Sequence, residues 1–238
     1  LSTGEGGSLL HAAAAARRSD VLETALPLLD ELGIEIDGPD ALGQTALHVA
    51  VAAADASLVV PLLRARATLD VTEGGGATAL QMAVEARDLR CVSALLQVGA
   101  NVNVMSGDGV PLLVLAAERS VSVAMSLIQA SASVNVVDPT GRSPLDVAVA
   151  QGESELAELL LLRGAKPTRN QDTDGNTILH TAVLQQSEQL VSLLVKHKAE
   201  LSDQNRRGCT PLLLAAESGQ PKIAQTLLQA GAGLHLCD

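Results

Sequence analysis

The sequence predicts an all-α fold: a solenoid of helix–turn–helix units joined by β-turn fingers. Three observations predict it. One phrase, clearest as G-Q-T-A-L-H-V-A from Gly43 to Ala50, opens again at Gly6, Gly76, Gly109, Gly141, Gly175 and Gly208. Its central leucines, Leu10, Leu47, Leu80, Leu113, Leu145, Leu179 and Leu212, fall 37, 33, 33, 32, 34 and 33 residues apart. A period in that range marks stacked supersecondary units, none of which can bury its apolar face alone. Each phrase is also followed by an Ala-rich helix and a second helix ending in paired leucines. The 238 residues therefore read as one elongated array whose units pack on their neighbours.

Residues 1–7 form a Gly-rich lead expected to be disordered. The units that follow are 8–39, 40–72, 73–105, 106–137, 138–171, 172–204 and 205–238. In the first, Ser8 is the candidate N-cap, Leu9-Leu10-His11 starts a helix running to Arg17, and a second helix is expected from Asp20 to Leu32. This unit is four residues longer than the others.

Each later unit repeats one plan. A turn rich in Gly and Asp comes first, because those residues tolerate positive φ and bond to the local backbone. Thr45, Thr78, Ser143, Thr177 and Thr210 stand two residues after the last glycine, where a hydroxyl can cap the free amides of the next helix. Pro144 and Pro211 take the first helical position, where a missing N–H costs little. The second helices end in Leu62-Leu63, Leu95-Leu96, Leu127-Ile128, Leu160-Leu161, Leu193-Leu194 and Leu227-Leu228. Gly99, Gly164 and Gly231 close them as left-handed caps. Arg66, Ser131 and Lys198 replace that glycine elsewhere, at a cost in stability. Pro27 and Pro61 fall within second helices, Pro61 in the first half of its helix, and are expected to bend them.

Composition narrows function. Apolar residues make up 47% of the chain and none is aromatic. The core must be Leu, Ala and Val, and there is no stacking platform for single-stranded nucleic acid. Aromatic hot spots are excluded from any interface, leaving Arg, Leu and Met. Net charge is −11 and uneven: residues 1–60 carry 2 basic and 9 acidic side chains, residues 161–238 carry 8 and 7. Nucleic acid and anionic membrane want the opposite sign. A basic partner over the first half is one reading of the charge; simple solubility is the other.

Cys91, Cys209 and Cys237 form no C-x-x-C pair. Their sparse, odd number fits a reducing compartment, cytoplasmic or nuclear, rather than a disulfide framework. No apolar run reaches the ~18 residues of a membrane span. Asp238 falls where a further finger would begin, so the array is expected to continue in a longer parent chain.

The turn, the T-P-L-H-like helix start, L-L-x-x-G-A and V-N together resemble the ankyrin repeat over roughly residues 6–238. The fourth unit departs from the pattern, with Pro111 and Val114 where that family prefers Thr and His. The resemblance implies a non-catalytic, monomeric scaffold or adaptor that binds a protein or peptide on a concave face of fingers and first helices. Mapped by register, the partner-binding positions are Leu42, Gln44, Asp108, Val110, Arg142, Asp174, Asn176, Arg206 and Arg207 in the fingers. Glu85, Glu118, Arg119, Gln151, Leu184, Gln185 and Glu217 are their counterparts at the ends of first helices. Leu42, Val110 and Leu184 stand out because apolar side chains there lack a core role. The arginines offer planar forks for carboxylates. Asn103 is similar to the asparagine that an asparaginyl hydroxylase modifies in this family, and Asn135 matches less well; the bland reading is turn stabilisation by the side chain.

Chemistry finds little purchase. His11, His48 and His180 share one repeat position, which spaces them as a ladder rather than a tetrahedral metal cluster. The resemblance implies instead that each bonds a neighbouring loop. Cys91 reads as a buried hydrophobe. Cys209, in a finger, is expected to be exposed, with no base motif beside it. No G-x-x-x-x-G-K is present, and Glu153, Glu155 and Glu158 read as solvated charge. No cofactor, metal or catalytic constellation is expected. Two other readings stay open: an inhibitor of a basic transcription factor, and a targeting module of a larger enzyme or trafficking protein.

Overall fold

The computed structural model describes residues 7–168 and 170–233. The rest of the expected lead, His235, Cys237 and Asp238 lie outside them. Among the described residues the regular structure is helical, and the fingers carry only isolated antiparallel bridges, Thr72 with Thr78 and Met105 with Pro111. The chain divides into two compact units, Leu1–Ala132 and Ser133–Asp238.

In the first unit, the first helices α1 (Leu9–Ala15), α4 (Ala46–Ala52), α6 (Ala79–Glu85) and α8 (Leu112–Arg119) stack in one layer. The second helices α2 (Ser19–Ala25), α5 (Ala56–Arg64), α7 (Leu89–Gln97) and α9 (Val121–Gln129) stack behind them. In the second unit the layers are α10 (Pro144–Ala150), α12 (Ile178–Leu184) and α14 (Pro211–Glu217), then α11 (Ser154–Leu162), α13 (Glu188–Lys196) and α15 (Pro221–Gln229). All seven recurring leucines are buried between the layers. Each contributes about 1.5–3 kcal/mol by leaving water, and the small Ala50, Ala83, Ala116, Ala148, Ala182 and Ala215 let the layers approach.

Both prolines act differently from expectation. The second helix of the first unit is broken, not merely bent: α2 stops at Ala25, a 3₁₀ turn spans Leu26–Leu28, and a short α3 (Leu29–Leu32) follows. Pro27 cannot donate the bond that would continue the helix. Pro61 sits in the second half of α5, and that helix runs through it unbroken. The carbonyl it fails to bond belongs to exposed Ser57, where water can take its place.

The fourth unit shows what its missing residue does. Pro111 precedes α8 with extended φ/ψ and no side-chain cap, and Ser120 ends α8 and begins α9 at once. At the ends of second helices the left-handed position holds whatever its residue. Gly99, Gly164 and Gly231 have φ of 87°, 88° and 93°, and Arg66, Ser131 and Lys198 have 65°, 67° and 63°.

Candidate protein-binding face

The fingers are built alike. A bond from the first N–H of the turn to the carbonyl four residues on closes each: Asp40 to Gln44, Glu73 to Ala77, Ser106 to Val110, Asp138 to Arg142, Asp172 to Asn176, Asn205 to Cys209. In five of them the first side chain folds back on its own turn, Ser106 through a hydroxyl that accepts from the Val110 N–H and four through a carboxylate or amide oxygen. Asp40 accepts from the N–H groups of Leu42 and Gln44, Asp138 from Thr140 and Arg142, Asp172 from Asp174 and Asn176, and Asn205 from Arg207 and Cys209. Burial alone would raise the Asp138 and Asp172 carboxyls, but these bonds hold both below the ordinary 3.8. The finger that opens at Glu73 differs. Glu73 is one methylene longer, and its carboxylate instead accepts from Gln44 Nε2 at 2.6 Å.

Backbone also joins finger to finger. Gly74 N–H donates to the Leu42 carbonyl at 3.2 Å, and Arg206 N–H to that of Asp174 at 2.9 Å. Gly175 shows how close this approach is: its φ is +76°, and a Cβ there would lie 2.7 Å from the Arg206 nitrogen.

Capping boxes anchor the first helices α1, α4, α6, α10 and α12. His11, His48 and His180 occupy the third position in three of them and accept through Nδ1 from the N–H of Ser8, Thr45 and Thr177. Nδ1 is therefore unprotonated, and Nε2–H is left to donate. It reaches the Gln44 carbonyl from His11 and the Cys209 carbonyl from His180, each at 2.8 Å. His48 is the exception: its buried Nε2 has no partner within hydrogen-bond geometry, though the Val71 and Ala77 carbonyls lie near enough to act on its charge. Burial lowers the pKa of both His48 and His180. Gln81 performs the same task, accepting from Thr78 N–H and donating to the Met105 carbonyl. No group of three or more His, Cys, Asp or Glu among the described residues could hold a metal.

The mapped contact positions separate into three groups. Leu42 and Leu184 are 69% and 51% exposed, and Glu85, Asp108, Gln151, Asp174 and Arg206 are exposed as well. Val110 and Glu118 are half-buried. A second group is tied down within the protein. Besides Gln44, Arg119 donates to the Glu85 carbonyl at 3.3 Å and Gln185 to that of Ala150 at 2.7 Å. Arg142 pairs with Asp138 at 2.8 Å, and Arg207 with Glu217 at 2.9 Å. Asn176 forms the third group and corrects its mapping. It is 7% exposed, donates to Asp172 and accepts from Asn205 Nδ2, so it holds two turns together and is withdrawn from the surface. Cys209 is likewise buried, not exposed, with its thiol 3.8 Å from a Glu217 carboxylate oxygen. Cys91 is a core residue whose thiol burial pushes up to about 12.

Asn135 is exposed and spends both ends on the next repeat, donating to the Gly164 carbonyl and accepting from Lys166 N–H. Asp37 and Asp70 accept in the same way from Thr68 and Asn101. Asn103 is exposed at the equivalent repeat position.

Register alone does not reveal one feature. In the second unit a cavity of about 380 Å³ opens between the fifth and sixth repeats, lined among others by Thr140, Asp146, Ala150, Asp172, Ile178 and Thr181. Asp146 stands where histidine stands in other repeats. Its carboxylate is too short to span to the next finger, and the Thr168 hydroxyl bridges to it instead at 2.8 Å. The sequence signals were the His-to-Asp exchange and the 34-residue spacing from Leu145 to Leu179.

The family model for ankyrin repeats (3 copies) matches residues 9–106, 80–171 and 161–237. Among solved structures, the chain is similar to the ankyrin repeat domain of Bcl-3, described as a unique member of the IkappaB protein family. Identity is 30%, the TM-score is 0.74, and the match covers 94% of this chain and 99% of that one. The human ASB11 ankyrin repeat domain gives 27%, 0.66, 96% and 100%. Among curated relatives, the nuclear factor NF-kappa-B p105 subunit of Gallus gallus is 29% identical over 238 residues, which is 97% of this chain and 21% of that protein. The chain spans 7% to 22% of the length of five such relatives, p105 among them.

Proposed function

The chain belongs to the ankyrin-repeat family, and from that premise we propose that it is a non-catalytic scaffold or adaptor. Ankyrin repeats are protein–protein interaction modules. In this reading the partner lies on the finger and first-helix side, and the array is a monomer working in the cytoplasm or nucleus. The observation that carries it is the exposure of Leu42 and Leu184 at that side, where neither helix layer uses them. Glu85, Asp108, Asp174 and Arg206 add exposed charge. Pairs already engaged within the protein, such as Arg142 with Asp138, define its rim.

Photo-crosslinking amino acids at positions 42, 174 and 184, compared with 97 and 158 on the second helices, test the assignment. Cross-links to one protein from the first set alone are expected, and their loss in a Leu184→Glu variant that still folds. Cross-links from the second set alone would place the interface elsewhere.

A second reading, inhibition of a basic transcription factor, is favoured by two observations. The matches to the Bcl-3 domain and to p105 run through nearly the whole chain. Residues 1–60 carry a strong excess of acidic side chains. Recovery of a DNA-binding protein in the cross-link, with its DNA affinity lowered by the array, would support this reading over a general adaptor.

A further inference from the structure

We propose that the cavity between the fifth and sixth repeats is a seat for one lysine side chain of a partner segment. This rests on the interaction-module reading and names the chemistry that one of its pockets takes. At about 380 Å³ the cavity lies near the lower end of the roughly 300–1,000 Å³ typical of ligand pockets, room for one long side chain.

Charge selects the occupant. Among the described residues, three charged side chains line the cavity: Arg142, Asp146 and Asp172. Arg142 is already matched by the buried Asp138 carboxylate, 2.8 Å away. Asp146 accepts from neutral groups, the Ser143 N–H and hydroxyl and the Thr168 hydroxyl. Asp172 likewise accepts from the Asp174 and Asn176 N–H groups and the Asn176 amide. His180 accepts from the Thr177 N–H through Nδ1, which requires the neutral ring, and its burial lowers its pKa. Among the described residues, two carboxylates without a cation thus border one cavity.

The walls select further. Ala150, Ile178 and Thr181 present aliphatic surface, which suits a side chain whose stem is apolar and whose tip is charged. Lysine fits better than arginine. Each carboxylate has already committed lone pairs to local donors, so a planar fork finds no fully open carboxylate to grip. A compact ammonium with three rotatable donors can use the single positions that remain. An anionic or purely apolar side chain would leave the two charges unanswered.

Amide chemical shifts of the whole array, titrated with Nα-acetyl-lysine N-methylamide and its norleucine and glutamate counterparts, test the seat. Shifts at Ala150, Ile178 and Thr181 are expected with the lysine compound alone. Asp172→Asn, which keeps an oxygen to accept from the turn, should weaken that binding about fivefold, as loss of a partly exposed ion pair does. Thr181→Lys, which delivers a cation from within, should block it. Equal shifts with norleucine, no shifts with lysine, or unchanged affinity in folded Asp172→Asn would overturn the proposal. Missing shifts alongside cross-links from the finger side would remove the seat and leave the scaffold reading. Shifts without those cross-links would do the reverse.

Discussion

Gln185 reaches back across one repeat and donates from Nε2 to the carbonyl of Ala150 at 2.7 Å. In the other unit Arg119, at the same repeat position, does so to Glu85 at 3.3 Å. Both carbonyls belong to the last residue of a first helix, where intrahelical partners run out. The side chains therefore act as C-terminal caps supplied by the next repeat. Gln185→Ala is expected to lower stability by about 0.5–1.5 kcal/mol, the net worth of one such bond. Urea unfolding of the two proteins measures it. A midpoint unchanged by the substitution would mean that water serves Ala150 equally well.

The buried histidines set a pH dependence. Burial holds His180 and His48 below their ordinary 6.5, so the fold favours the neutral ring, as the Nδ1 acceptor role requires. The unfolded chain takes up protons first as pH falls below about 6.5. Stability is then lost downward from that value until the folded rings titrate, because the unfolded state binds more protons over that window. A second loss follows below 3.8, where the lowered Asp138 and Asp172 begin to protonate in the unfolded chain. Gln81 shows that glutamine fills the same role without titrating. His180→Gln should therefore keep the capping box and shrink the first loss to the share of His48, leaving the second. Thermal melts at a series of pH values check both.

The repeat plan was legible because it rests on local rules. Leucines recur at a fixed period, hydroxyls stand where amides need caps, and glycines stand where φ is positive. What was not legible depended on reach. Arg119 and Gln185 read as free contacts because their acceptors lie 34 and 35 residues away. Asn176 read as a finger tip because nothing local announces its bond to Asn205. The cavity beside Asp146 depended on a three-dimensional arrangement too: where other repeats send a histidine to the next finger, this carboxylate accepts from the Thr168 hydroxyl at the cavity wall.

The finger-to-finger contact gives a sharper mutational test. Gly175 combines φ of +76° with a Cβ position 2.7 Å from the Arg206 nitrogen and 3.3 Å from the Asn205 carbonyl carbon. Both obstacles include backbone, so no rotamer change relieves them. Gly175→Ala should cost more than the roughly 1–2 kcal/mol of a left-handed L-residue alone. Gly164→Ala is the control: its φ is +88° and its Cβ position meets nothing within 4 Å. The difference between the two in calorimetric melting isolates the contact from the conformational cost.

Lys198, Ser131 and Arg66 invite the opposite change. Each holds φ above +60° at the end of a second helix, where the other repeats use glycine. The N–H of Lys198 donates to the Val195 carbonyl and the next N–H, of Ala199, to that of Leu194, so the backbone is committed to this shape whatever the side chain. Lys198 is exposed, and its removal uncovers no core. Lys198→Gly releases the steric cost of about 1–2 kcal/mol and gives back part of it as unfolded-chain entropy. A net gain of roughly 0.5–1 kcal/mol is expected, read as a higher urea midpoint with unchanged slope. Combined with Arg66→Gly in the other unit, the gains should add, because distant sites without shared partners behave independently.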